Sequence, residues 1–463
     1  MRTLHQLFLS SLVATLPAYL LSGCGDDESD KPNAAAGTSG SAGSGGSGGS
    51  TGGTGNTDGG GTGGSAGAAA CDLSGTGLQH SPIPNPTGTL TLTHDKVWDL
   101  SDTTYVADGQ VLTIEPCTRI EGTKSPLGTL VVSRGGKLMA VGTATSPILF
   151  TGKAAKGSRA PGDWGGLILL GKAPNFQGEV NAEGLPNDPK NKYGGTDAAD
   201  NSGTLKYIGL LFPGYELSPG NEVNGLTMSS VGTGTTIENI VVNGSADDCF
   251  EWFGGTVNTS NIVCQNSDDD MFDTDFGYAG TIKNAFGRHT TAPTEASNGI
   301  ETGYDQATAI TPTGNTHATY QNVTACGFGS AATSVGVGAL VRAYTDGLID
   351  GLVATGFDYG VNADKAPVGT IAIKNSVVFG MFANATNQIV NPADDNSKDG
   401  NFDELAWFNT AGNGNSTTAP AFTVADCKAA GGPAAAVKTS GAGAFKESAT
   451  WTDWIPADWW SDN

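Results

Sequence analysis

The chain is predicted to be all-β, a single-stranded parallel β-helix behind a disordered tether. Three observations carry that expectation. The stretch from Thr236 to Tyr278 contains itself twice at a step of about 22 residues: Asn239-Ile240-Val241 recurs as Asn261-Ile262-Val263, Asp247-Asp248 as Asp269-Asp270, Phe250 as Phe272 and Glu251 as Asp273. Each copy holds a short β-branched run, a polar turn, a second apolar run and a Gly-containing bend, with no 3.6-residue period that would support a helix. Ahead of the repeats, residues 37–67 are almost wholly Gly, Ser and Thr, with no apolar side chain larger than Ala. Such a segment cannot offset its ordering entropy by burial. Short-strand repeats of this length stack as coils about 4.8 Å apart, so equivalent residues lie directly above one another.

The N-terminus reads as an export signal. Leu7 to Leu21 is an apolar run broken by Pro17, too short and wrongly flanked for a spanning helix. Leu21-Ser22-Gly23-Cys24 follows it and resembles the lipobox of bacterial lipoproteins, which implies cleavage before Cys24 and a lipid on its sulfur. The alternative is a plain signal peptide with a chance Cys. Gly25, not Asp, follows, so nothing argues for retention in an inner membrane. The expected organisation is a signal over residues 1–23, a lipidated, disordered linker over 24–70, a β-helix over 71–425 and a Trp-rich C-terminal cap over 426–463. About 35 linker residues reach on the order of 30–35 Å, enough to hold the folded part clear of a membrane.

Removing residues 1–23 takes away Arg2 and no acid, which moves the formal charge from −23 to −24. So acidic a surface argues against nucleic acid and against anionic membranes as partners and suits cations. The plainer alternative is solubility alone.

From Cys71 onward the chain alternates like strands. Val111 to Ile120 is echoed by Leu130 to Leu138 at a step of about 18 residues, which aligns Ile114 with Val132, Arg119 with Lys137 and Ile120 with Leu138. Leu348 to Thr370 keeps a step of about 22. Ten to twelve coils, roughly 50 Å in length, are expected. Three polar stretches, Lys172 to Gly203, Thr290 to His317 and Asn387 to Asn415, do not read as coils. Loops this long in a solenoid are usually functional or mobile.

The segments LTIEPCTRI, SRGGKLMAVGTATSPILFT, GDWGGLILLGKAP, NEVNGLTMSSVGTGTTIENI and DDCFEWFGGTVN, in this order, resemble a family of secreted bacterial β-helix proteins of the pectate-lyase-like type, many of them lipoproteins and most of unknown function. The resemblance covers roughly Thr89 to the C-terminus. It implies a right-handed parallel β-helix exported to the outer membrane or cell surface, and it leaves the activity open. The chain departs from the family pattern at Cys117 and Cys249, where Gly is expected. The ending GAFKESATWTDW also resembles the family and favours a cap in which Trp451, Trp454, Trp459 and Trp460 plug the last coil, over an aromatic platform for sugar rings.

Asp247, Asp248, Glu251, Asp268, Asp269, Asp270, Asp273 and Asp275 crowd into one short run of the chain. At a 22-residue step Asp247 lies under Asp269, Asp248 under Asp270 and Glu251 under Asp273. Two carboxylates about 4.8 Å apart at an effective dielectric near 20 repel by on the order of 3.5 kcal/mol. Three such pairs are large beside a net stability of roughly 5–15 kcal/mol. A cation resolves this, and Ca²⁺ accepts six to eight oxygens with flexible geometry. The expected ligands are therefore Asp247, Asp269, Glu251 and Asp273 on one outward edge, with Asp248 and Asp270. The alternative is that the aspartates accept from turn amides and point apart.

Catalysis is the rival reading. Pectate-lyase-like relatives use stacked Asp for Ca²⁺ and an Arg or Lys as base, but Arg288 and Lys283 miss the acidic column at this step. Asp273-Thr274-Asp275 and Gly287-Arg288-His289 only faintly echo the paired-acid motifs of the glycoside hydrolases of this fold. No CxxC, HExxH or phosphate-binding loop occurs. Besides Cys24, six Cys remain, an even number in an oxidising compartment. A staple from Cys71, ahead of the first coils, to Cys117 is the first choice. Cys249 and Cys264 either pair across the interior or are buried as apolar residues. The reading is a lipid-anchored surface β-helix, non-catalytic, binding cations and extracellular polysaccharide, with a polysaccharide lyase or hydrolase as the alternative.

Overall fold

A computed structural model of the chain describes residues 71–218, 221–294, 296–304, 314–329, 336–363, 371–382, 389 and 402–460. The expected signal, Cys24 and the linker lie outside the described residues, as do Thr370 and residues 461–463 of the expected cap.

Short β-branched runs become strands because alternate side chains meet the same residue type one coil away. The coils build two long parallel sheets, one of nine strands and one of fifteen. The middle coils each put one long strand into the larger sheet: Gly203–Leu211, Thr236–Ser245, Thr259–Ser267, Thr281–Arg288, Thr319–Cys326 and Leu348–Thr355. These strands bend in the middle at Tyr207, Asn239, Asn261, Asn284, Asn322 and Gly351, whose φ values are +54, +58, +56, +55, +58 and +81°. Asn and Gly tolerate this left-handed corner, and the repeated Asn of the sequence is thereby explained. Asn284 Nδ2 donates to Asn261 Oδ1 at 3.1 Å and Asn322 Nδ2 to Asn284 Oδ1 at 3.2 Å, so the corner is also a hydrogen-bonded ladder. In earlier coils the two limbs of the bend are separate strands. Lys137–Val141 pairs with the first half of Gly203–Leu211, and Ile148–Gly152 with the second.

The interior is filled by stacked columns, such as Ile208, Ile240, Ile262, Ala285, Val323 and Leu352 in register. Phe250 stacks on Phe272 at 5.9 Å. Each fully buried side chain of this size contributes about 1.5–3 kcal/mol of burial.

Three expectations are corrected. The echo between Val111–Ile120 and Leu130–Leu138 is not a coil. Val111 pairs with Lys137 and Arg119 with Leu149, both at longer steps, while Val132 belongs to the nine-stranded sheet. The echo aligned Ile114 with a strand of the other sheet, and Arg119 and Ile120 with Lys137 and Leu138, which share their sheet without pairing with them. The late step runs from Leu348 to Ala372, slightly past the expected partner. The Trp-rich segment does not plug the last coil. The end of the interior is covered instead by helix Glu404–Phe408, which sets Phe408 against the core with Leu405 and Trp407 packed beside it.

The chain then turns back along the flank. Phe422 meets Phe379, Phe445 meets Phe286, and Trp454 meets Tyr207 at ring separations of 5.6, 5.5 and 5.4 Å. The outward column Leu149, Gly209, Val241, Val263 and Phe286 is apolar and requires such a cover. Gly209 leaves the gap that the Trp459 ring fills, and a Cβ there would overlap it. Disulfides join Cys71 to Cys117, Cys249 to Cys264 and Cys326 to Cys427, with Cα–Cα distances of 5.5, 5.7 and 6.4 Å. The last ties this strap to the sheet. Cys117 has a φ of +65°, the conformation for which Gly is the usual choice.

Candidate metal centre

The acids lie where a turn delivers the chain into the nine-stranded sheet. Along Phe250–Phe253 and Phe272–Asp275 alternation sends Phe250, Trp252, Phe272 and Thr274 inward, and Glu251, Phe253, Asp273 and Asp275 outward. Register places Glu251 beside Asp273, and Asp273 beside Glu301 one coil further. The preceding turns stack as well. Asp248 Oδ1 accepts from the Asp270 amide at 2.7 Å, Asp270 Oδ1 from the Asn298 amide at 2.6 Å, and Asn298 Oδ1 from the Val337 amide at 3.0 Å. For Asp248 and Asp270 the turn-capping alternative therefore holds for one oxygen each.

Two overlapping triads emerge: Asp247, Asp248 and Asp269, and Asp248, Glu251 and Asp273. In each, one carboxylate oxygen per residue lies within 4.8 Å of the others. Asp248 is the shared member. Asp247 was expected on the outward edge, yet it is 8 % exposed and Asp248 5 %. The turn tucks both against the sheet, so the ligand edge runs through Asp248 as well as the outward column. Asp270, 3 % exposed, falls in neither triad. It caps the coil above.

Burial holds the carboxyls of Asp247, Asp248, Glu251, Asp270, Asp273 and Asp275 well above their ordinary range. Neighbouring carboxylates add to it: Asp269 for Asp247 and Asp248, Asp273 for Glu251, and Glu301 for Asp270 and Asp273. Arg342 opposes this at Asp273 and Asp275, and it is ion-paired with Glu301. Two oxygens here are buried without a hydrogen-bond partner, Asp273 Oδ1 and Asn224 Oδ1. Asn224 is 2 % exposed, and its Nδ2 donates to Glu251 Oε2 at 2.5 Å. Hard oxygens, several anionic and some lacking a donor, form the ligand chemistry of Ca²⁺.

Sequence reading missed Asn224, Arg342 and Glu222, and it missed Glu183, Asn298 and Glu301, which come from two of the polar stretches. A signal was present for three of them. Asn224-Gly-Leu-Thr227, Asp248-Cys-Phe-Glu251, Asp270-Met-Phe-Asp273 and Asn298-Gly-Ile-Glu301 are one four-residue pattern repeated at unequal steps. Only the step between the middle two matched the repeat read from the sequence.

Other candidates lie elsewhere. Arg288, 1 % exposed, sits under the strap, donating to Gln265 Oε1 at 2.7 Å and to the Cys427 carbonyl at 2.7 Å. Lys283 pairs with Glu447 of the strap at 2.9 Å. His289 bonds Ser297 Oγ through Nε2 at 2.7 Å, and burial pushes it down to about 3. Asp268 accepts from the Thr294 amide at 3.3 Å and belongs to neither triad. A second acidic group, His80, Asp99 and Glu121, is offset by Lys153 on Asp99 and Arg119 on Glu121.

The molecule is thus a parallel β-helix carrying a column of acids on the outer face of its nine-stranded sheet. A family model described as the pectate-lyase-like β-helix domain matches residues 85–427, and the chain belongs to that family. No curated protein and no solved structure matches it.

Proposed function

We propose that this protein is an exported, lipid-anchored β-helix of the bacterial outer membrane or cell surface. In this reading it binds Ca²⁺ through Asp247, Asp248, Asp269, Glu251 and Asp273 and presents that face to extracellular polysaccharide without cleaving it. The observation that carries the reading is the pair of triads sharing Asp248, with buried oxygens that lack a donor. An ion held there turns mutual repulsion into attraction and offers an anionic glycan a bridge to an otherwise acidic surface. Anchoring rests on Leu21-Ser22-Gly23-Cys24 and the tether behind it.

One observation favours the lyase alternative: Arg342, a cation set among the acids. Its guanidinium is engaged with Glu301 through both Nε and Nη2, which leaves it poorly placed to take a proton.

Metal-stripped soluble domain titrated with Ca²⁺ tests the reading. A hundredfold excess over Kd adds about 2.7 kcal/mol to stability, so melting rises with Ca²⁺ and falls with chelator. Asp247→Asn with Asp269→Asn removes the response. A panel of acidic and neutral glycans scored for binding and for cleavage separates the two readings, since chain cleavage would overturn the non-catalytic one. In cells, Cys24→Ala releases the protein or stalls its processing. A processed variant that still fractionates with membranes would refute the anchor.

A further inference from the structure

The outer face of the nine-stranded sheet changes character at Asn224. In the coils before it Val131, Ile168 and Leu170 point outward, and two insertions close over them as a lid, with Ala182, Tyr193 and Val223 packed on the sheet. Beyond it the face is acidic. There the two triads share Asp248 alone: Asp247 and Asp269 belong to one, Glu251 and Asp273 to the other. Oxygens on opposite sides of one Ca²⁺ lie about 4.6–5.2 Å apart, so each triad has the span of a single coordination sphere. The five acids do not share one sphere. Charge points to the same number. Against five carboxylates, one Ca²⁺ leaves three charges unneutralised around the buried Asp247 and Asp248, and two leave one. Asp248 can serve both ions, because only one of its oxygens caps the Asp270 amide and a carboxylate offers about four lone-pair sites.

Asn224 stands against the second triad. It is the equivalent of Asp248 one coil earlier, since Thr227 and Glu251, each three residues further on, lie side by side. Its Nδ2 donates to Glu251 Oε2 at 2.5 Å and to Thr227 Oγ1 at 3.3 Å, while its Oδ1 is buried without a partner. Asp273 Oδ1 is buried without one as well. Half a turn of the Asn224 amide exchanges nitrogen for oxygen and aims a neutral ligand at the space beside Glu251. An ion there favours that turn, because Ca²⁺ takes amide carbonyls and repels an N–H.

We propose that the acids form a two-ion centre. One Ca²⁺ sits among Asp247, Asp248 and Asp269. A second sits among Asp248, Glu251 and Asp273 and takes the rotated Asn224 Oδ1 as a further ligand. The second is the weaker, because Asp273 lies beside Glu301, which holds the Arg342 guanidinium. The centre rests on the cation reading above and adds to it the number of ions, their order of binding and an uncharged ligand.

Calorimetric Ca²⁺ titration of the metal-stripped full chain, with native mass spectrometry to count the ions, tests it. Two Ca²⁺ per chain are expected, bound in two resolved steps. Asp247→Asn with Asp269→Asn should delete the tight step and leave the weak one. At Ca²⁺ concentrations that fill only the tight sphere, melting of that variant no longer responds. Glu251→Gln with Asp273→Asn should delete the weak step and spare the tight one. Asn224→Leu, which offers neither oxygen nor N–H, should weaken the second step alone by roughly tenfold or more. Asn224→Asp places a charged oxygen there and should tighten that step alone, and it carries the test if the Leu variant fails to fold. A single Ca²⁺ that either acid pair abolishes would overturn the two-ion centre and leave the cation reading standing. A second step unchanged in both Asn224 variants would remove Asn224 from the sphere. No Ca²⁺ bound at all would sink the centre and the cation reading together.

Discussion

Asp248 performs two tasks that a single substitution pulls apart. One oxygen caps the Asp270 amide of the next coil, and the side chain is common to both acidic triads. Asn keeps an acceptor for the amide and removes the charge. Asp248→Asn should therefore abolish the Ca²⁺ response in melting while leaving the chelated protein as stable as before, or more so. Ala removes both. Asp248→Ala should cost about 1–3 kcal/mol even in chelator, the penalty for an unsatisfied buried amide. Urea denaturation of the two variants with and without Ca²⁺ would decide the matter. Equal loss in both variants under chelator would show that the charge, and not the cap, is what Asp248 supplies.

The repeating element owes its shape to the corner in each long strand. Asn261 stands there at φ +56° and its Oδ1 accepts from Asn284. Gly fits the backbone and loses the ladder bond, whereas Ala loses the bond and meets a left-handed conformation that costs roughly 1–2 kcal/mol more. The expected order of stability is Asn above Gly above Ala, by chemical denaturation. Gly351, at the same corner in a later coil, shows that the backbone alone tolerates the exchange. Ala equal to Gly would mean that the corner is not strained. The strap is the other element with a physical necessity behind it. Its Trp459 and Trp460 carbonyls accept from Asn243 and Gln265 at 2.9 and 2.8 Å, so the polar outward column of the sheet is satisfied by backbone while the apolar one is covered by rings.

Across the whole molecule the balance of charge makes stability depend on pH in an unusual sense. The folded state holds protons on its acidic column more tightly than the unfolded chain does, because burial and like charges raise those carboxyls. Without a cation, stability is therefore fully present below the ordinary carboxylate range and is lost as pH rises through the elevated values. Glu183 marks the window, moving from 4.5 to about 7 through burial and its neighbour Glu222. That shift alone costs the folded state on the order of 3 kcal/mol above the window relative to below it. Melting temperature in chelator should fall between about pH 5 and pH 8, and Ca²⁺ should restore it at the upper end. A melting temperature that rises over this range in metal-free protein would contradict the raised carboxyls.

The solenoid and the core of the site were legible in the chain alone. A coil places equivalent residues above one another, so a regular repeat is already a statement about neighbours: Phe250 over Phe272 and Glu251 over Asp273 follow from counting. Counting fails where a turn lengthens. Glu301 follows Asp273 by more than one regular step, and Leu340 follows Glu301 by more again, so the third acid of the column and Arg342 beyond it stayed invisible. The echo of Val111–Ile120 in Leu130–Leu138 failed for the converse reason, a similar composition that set the two stretches at a register they do not pair in. The course of the Trp-rich segment, and the identity of the acids that the insertions bring, depended on folding in three dimensions. A strap and a lid pack through contacts between residues far apart in sequence, such as Trp459 with Gly209 and the Glu183 carboxylate with the Glu222 amide, and no local period encodes those.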